Sequence, residues 1–89
     1  MFYELYEDVA DETFKKMHDA EEIYGDFTST HEALGVALEE WNELQHAIHA
    51  NKLESIREEA LDLAAVLLRM AHQCCETALK TDFAKRSVK

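Results

Sequence analysis

Four carboxylates stand where a helical protein would be expected to place apolar side chains. Glu40 and Glu43 are three residues apart, and so are Glu59 and Asp62. Three residues is close to one helical turn, so each pair shares a helix face. On a wheel of about 100° per residue, Glu40 and Glu43 fall in the middle of a row completed by Ala33, Val36 and Ala47. Glu59 points out of an apolar arc of Ile56, Leu63, Val66 and Met70, all within about 60° of it, and Asp62 lies at the edge of that arc. A carboxylate aimed into an apolar interface is costly unless it is paired or bound to a cation. Crowded carboxylates also raise one another's pKa. With 9 Lys and Arg against 19 Asp and Glu, basic partners are scarce. A hard divalent cation with oxygen ligands resolves the conflict: Mg²⁺ is the usual occupant beside phosphates, and Mn²⁺ can substitute. Glutamate-rich helices do carry E-x-x-E by chance, mostly on solvated faces. Two such pairs, each set in an apolar row and joined by a short hairpin, favour the cation site.

Three helices must position these groups. The first is predicted from about Phe2 to Tyr24, with an apolar stripe of Phe2, Leu5, Tyr6, Val9, Phe14, Met17, Ala20 and Tyr24. Gly25 follows as a C-cap candidate. Ser29 and Glu32 have the capping-box spacing, so the second helix should start near Thr30 and reach about Ala50. Its core side is expected to be Leu34, Ala37, Leu38, Trp41, Leu44 and Ile48. Glu39, Asn42, His46 and His49 lie on the polar side. The third helix has two acceptable caps, Asn51 and Ser55, and should run to about Leu79. The expectation is one all-α domain over residues 1–89: an antiparallel helical bundle of three main helices, with room for a short fourth at the C-terminus. So small a core would gain from oligomerisation, as a homodimer or homotetramer. Residues 80–89 hold four basic side chains and one acid and read as a frayed basic tail.

The formal net charge of −10 opposes non-specific binding to nucleic acid or to an anionic membrane, since neutralising phosphates requires the other sign. No apolar run approaches the ~18 residues of a membrane span. The opening residues lack a basic stretch followed by an apolar one, so no secretory leader is predicted. Cys74 and Cys75 are adjacent and point about 100° apart in a helix, poorly placed for a disulfide with each other. Reduced thiols in a cytoplasmic protein are expected. His72 and Cys75 offer a metal only two ligands.

Glu40-x-x-Glu43, fifteen intervening residues, then Glu59-x-x-Asp62 resembles the ExxE…ExxD motif of MazG-like nucleotide pyrophosphohydrolases. Glu39 matches the doubled glutamate often seen there. Glu59-Ala60-Leu61-Asp62 stands where many members have E-L-G-D, which spares the acids and bears on helix packing beside them. Tyr24-Gly25-Asp26-Phe27-Thr28-Ser29-Thr30-His31-Glu32 also looks like the Y-G-x-F-x-S-x-H-E stretch of small phage and mobile-element relatives. The resemblance spans Tyr24 to Ala71. It implies an all-α fold, a dimer or tetramer of interlocked helices, and cleavage of a ribo- or deoxyribonucleoside triphosphate to the monophosphate and pyrophosphate. On this reading Glu40, Glu43, Glu59 and Asp62 hold Mg²⁺, and Glu39 is an extra ligand or orients the attacking water.

Phosphate contacts would fall to Lys15, Lys16, Lys52, Arg57, Arg69 or a neighbour's tail, with Lys16 and Arg57 the chosen candidates. Base recognition would use Tyr24, Phe27 or His31. The plainer roles are core or hinge packing for the two aromatics and an exposed first-turn position for His31. Trp41 is expected in the core or a subunit interface. Two other readings stay open: a non-catalytic acidic helical oligomer that binds a partner or nucleotide without turnover, and a di-iron site built on Glu43-x-x-His46. The second has one copy of its motif, with His46 toward the polar side.

Overall fold

The computed structural model describes the backbone of residues 2–76 and the side chains of residues 6–76. Three α-helices follow one another: α1 (Phe2–Tyr24), α2 (Thr30–Ala50) and α3 (Leu53–Met70). α3 continues into a π-helical segment, Ala71–Glu76. Among the described residues there is no strand, and the all-α expectation holds. The expected basic tail and short fourth helix lie outside the described residues, as does the expected end of the third helix at Leu79.

The helix ends are set by local chemistry. Gly25 takes φ +73° and donates its N–H to the Glu21 carbonyl at 2.8 Å. That is the left-handed stop for which a residue without Cβ is suited. Ser29 caps α2 from an extended backbone, its hydroxyl accepting the Glu32 N–H at 3.1 Å. Glu32 does not return the bond to Ser29. Its carboxylate takes the backbone N–H of Thr28 at 3.3 Å and the Thr28 hydroxyl at 2.8 Å. The box is displaced by one residue toward the loop.

Asn51 ends α2 rather than starting α3. It sits in the left-handed region at φ 55°, which asparagine tolerates better than most residues. Its N–H reaches the Ile48 carbonyl at 3.0 Å, and the Lys52 N–H reaches Ala47 at 3.3 Å. This is the paired-bond helix stop of the Schellman motif. α3 therefore begins at Leu53 behind Lys52, which offers no side-chain cap. Neither Asn51 nor Ser55 caps it.

Both α1 and α2 pack on α3. The molecule measures 54 × 33 × 22 Å, about two helix diameters thick. Its core is small: Ala33, Ala37, Leu44 and Ala47 of α2 meet Leu61, Ala65 and Val66 of α3. Ala33 is fully enclosed. Among the described side chains of α1 the buried one is Thr13, whose hydroxyl donates to the Val9 carbonyl at 2.8 Å.

The expected core side of α2 is corrected by this packing. Leu34, Leu38, Trp41 and Ile48 remain 51, 51, 44 and 49% exposed, and from that face only Ala37 and Leu44 are buried. The row of Ala33, Val36, Glu40 and Ala47 is the one drawn in. Interaxial distance depends on the side chains at the contact, and small residues let α2 approach α3 closely where leucines and a tryptophan would hold it off. The stripe of α1 is corrected likewise. Tyr6, Val9, Phe14 and Tyr24 are exposed, while Ala10, Thr13, Met17 and Ala20 turn inward.

Candidate metal centre

Close packing along the small-residue row carries Glu40 and Glu43 of α2 up to Glu59 of α3. One carboxylate oxygen from each lies within 4.8 Å of the other two. Glu40 and Glu59 are half-buried and Glu43 is exposed. The Oε2 atoms of Glu40 and of Glu59 are sealed from solvent without a hydrogen-bond partner. Burial, followed by the charges of Glu43, Asp62 and Glu59, pushes the Glu40 carboxyl up to about 7. Burial and then contact with Glu43 raise Glu59 as well. Glu40 and Glu59 are thus both held above the usual carboxylate range and each keeps an orphaned oxygen, a conflict that a shared proton or a cation would relieve.

The donor set suits a hard ion. All three atoms that could ligate an ion are carboxylate oxygens, the donor type that Mg²⁺ prefers. Neighbouring oxygens on an octahedral Mg²⁺ stand about 3 Å apart, so the three oxygens, which lie within 4.8 Å of one another, would have to draw together by side-chain rotation to hold such an ion. Among the described residues this is the one acidic group close enough to share an ion, and it contains no histidine or cysteine. His46 is exposed and outside it.

Asp62, the expected fourth ligand, is engaged elsewhere. Its Oδ1 lies 2.8 Å from the Lys16 ammonium, which also holds Glu58 Oε2 at 2.9 Å. The hydrogen bond to Asp62, then that to Glu58, raises the Lys16 pKa and keeps it protonated. Lys16 reaches across from α1, so α1 closes the site by charge as well as by packing.

A cavity of about 650 Å³ opens beside the acids, within the usual range for small-molecule sites. Glu39, Glu40 and Asp62 line it near the carboxylates, Lys16 borders it, and Phe27 and Arg69 line it farther along α3. Asp62 and Arg69 are two turns apart, about 10 Å along the helix axis. Arg69 is 4% exposed. Its guanidinium carbon stacks 4.2 Å from the centre of the Phe27 ring, and its Nη2 donates to the Gly25 carbonyl at 2.9 Å. Gln73 accepts the Phe27 N–H at 2.8 Å. Together Arg69 and Gln73 pin the α1–α2 loop against the end of α3.

The other expected substrate residues are dispersed. Tyr24 stands at the cavity rim, 77% exposed. Phe27 is a wall residue beneath Arg69. His31 is exposed and does not line the cavity. Arg57 is not brought to the site: it makes a two-pronged pair with Glu12 of α1, at 2.6 and 3.0 Å. The guanidinium holds Glu12 below the usual carboxylate range. Arg69, expected as a free phosphate contact, is committed to the loop. Its sequence signal was its register, seven residues after Asp62 on the same helix edge. Gln73 carried no comparable signal. In comparisons with known proteins the chain matches no family model, no curated protein and no solved structure.

Proposed function

We propose that this chain is a Mg²⁺-dependent pyrophosphohydrolase that cleaves a nucleoside or deoxynucleoside triphosphate to the monophosphate and pyrophosphate. The observation that carries the reading is the convergence of Glu40, Glu43 and Glu59 oxygens within 4.8 Å, with Glu40 lining a cavity of nucleotide size. Glu40, Glu43 and Glu59 would hold the ion, with Asp62 joining as a fourth ligand once its pair with Lys16 opens, and with Mn²⁺ able to replace Mg²⁺. An ion so held supplies neutralising charge beside the phosphates and acidifies a water for attack. Glu39, on the cavity wall, would orient that water or accept its proton. The ~10 Å between Asp62 and Arg69 leaves length for a sugar and base between the acids and the Phe27–Arg69 wall.

The apolar stripe left open on α2 supports assembly into a homodimer or homotetramer, in which each chain's antiparallel helices complete a larger bundle. No described helix is long and apolar enough to cross a membrane, and the net charge of −10 disfavours nucleic acid as partner. We place the protein in the cytoplasm on the same reading.

The test is pyrophosphate release from a panel of standard and modified nucleoside triphosphates with Mg²⁺ or Mn²⁺. Turnover should be lost in Glu40→Gln and in Glu59→Gln. Silence across the whole panel, or variants as active as the parent, overturns the enzyme. Nucleotide binding without turnover would assign the acidic-module reading in its place.

A further inference from the structure

We propose that Lys16 is a built-in counter-ion that withholds Asp62 from the carboxylate trio, so that it sets the site's affinity for divalent cations and couples that affinity to phosphate binding. The inference rests on the metal reading above and adds a role for a residue of α1, which carries none of the ligands. Glu59 and Asp62 share a face of α3, yet only Glu59 joins Glu40 and Glu43. The difference between them is the ammonium: Lys16 Nζ stands 2.8 Å from Asp62 Oδ1 and 2.9 Å from Glu58 Oε2. It is held by both, and the Lys16 and Asp62 side chains are only 29 and 33% exposed.

The neighbouring guanidinium groups are otherwise committed. Arg57 is paired with Glu12, and Arg69 with the Gly25 carbonyl. The cation that meets the acids is therefore Lys16, and a carboxylate already neutralised by an ammonium is a poorer ligand for a second cation. Lys16 also borders the cavity. A polyphosphate entering there offers the ammonium a stronger anionic partner than one carboxylate. When Lys16 moves to the phosphate, Asp62 is freed for the ion. By linkage each ligand then tightens the other.

A double-mutant cycle on the full-length chain, read as Mn²⁺ affinity by electron paramagnetic resonance, tests this. Lys16→Gln should tighten Mn²⁺ by about 10-fold, the low end for changes to groups that hold metal ligands. Asp62→Asn should matter little in the parent but remove that gain in the Lys16→Gln background. Equal effects of Asp62→Asn in both backgrounds mean simple charge removal and overturn the proposal, as does unchanged affinity in Lys16→Gln. A measurement on the unmutated protein guards against misfolding of the variant. Acetylation of Lys16, followed by mass spectrometry, should slow several-fold when Mg²⁺ and inorganic triphosphate are added together, because the ammonium passes to the stronger anion, while Lys15, paired with Asp19, should not change. An unchanged or faster Lys16 rate also overturns it. If no protein in the set binds Mn²⁺, the metal reading falls and takes this inference with it. If the parent binds Mn²⁺ and the cycle shows no coupling, the inference alone falls.

Discussion

At pH 8 and without divalent cations, Glu40→Gln is expected to stabilise the fold while abolishing its response to Mg²⁺. The folded protein lifts the Glu40 carboxyl from its ordinary 4.5 to about 7, through burial and then the neighbouring charges of Glu43, Asp62 and Glu59. Folded Glu40 thus keeps its proton where the unfolded chain has lost it. Between those two pH values the folded state binds more protons, and stability falls as pH rises. The penalty is absent below pH 4.5 and complete above pH 7. At 1.36 kcal/mol per pH unit its ceiling is about 3 kcal/mol. Solvent reaches this half-buried group, and screening reduces the figure to roughly 1–2 kcal/mol.

Glutamine keeps the shape, cannot ionise, and can donate its amide hydrogens to the Glu43 and Glu59 oxygens. Thermal unfolding in a chelator should therefore show a Tm gain of roughly 5–15 °C at pH 8, at roughly 4–8 °C per kcal/mol for a chain of this size, and little change at pH 4. Mg²⁺ at 100 times its Kd should stabilise the parent by about 2.7 kcal/mol and should leave the variant nearly unmoved. A variant less stable than the parent at pH 8, or one with the parent's pH slope, would refute the argument that Glu40 is a strained group awaiting a cation.

Other perturbations read separate parts of the fold. Ser29→Ala should lower stability by about 1 kcal/mol in urea unfolding, the usual loss for a helix N-cap. Arg69→Leu removes a charged donor from the Gly25 carbonyl and the stack on Phe27. It should cost about 2–3 kcal/mol and speed hydrogen exchange in the α1–α2 loop, whereas a stable variant with a protected loop would show that the loop is held by other means. Leu38→Glu should shift a sedimenting oligomer toward monomer without loss of helicity, and an unchanged sedimentation coefficient would count against the α2 stripe as the contact.

The ends of α1 and α2 were legible because single residues decide them: Gly25 can take the left-handed turn, and the Ser29 hydroxyl can cap. The start of α3 was not legible, because Asn51 serves equally as a cap or as a stop and only the three-dimensional turn shows which. The carboxylate spacing pointed to two helix faces, and on them Glu40, Glu43 and Glu59 do come together. Two features escaped. Hydrophobic periodicity measures which side of a helix is apolar, not which side is covered. On α2 it therefore picked Leu34, Leu38, Trp41 and Ile48 over the alanines that pack on α3. The capture of Asp62 by Lys16 joins residues 46 apart, and no local pattern encodes such a contact.

These two outcomes have one cause. The alanines that let α2 come close to α3 are the reason that Glu40 and Glu43 can reach Glu59, and they are also the reason that the core buries so little. Larger residues in that row would build a better core and push the acids apart. The chain has instead set its small side chains and its acids along the inner seam and left its bulky apolar ones outside. A domain arranged this way holds two debts against its stability, crowded carboxylates within and an uncovered apolar stripe without. A divalent ion would relieve the first, and burial of the stripe against another copy would relieve the second. The fold is thus expected to be most stable when loaded and assembled, which ties its stability to the state in which the proposed site could work.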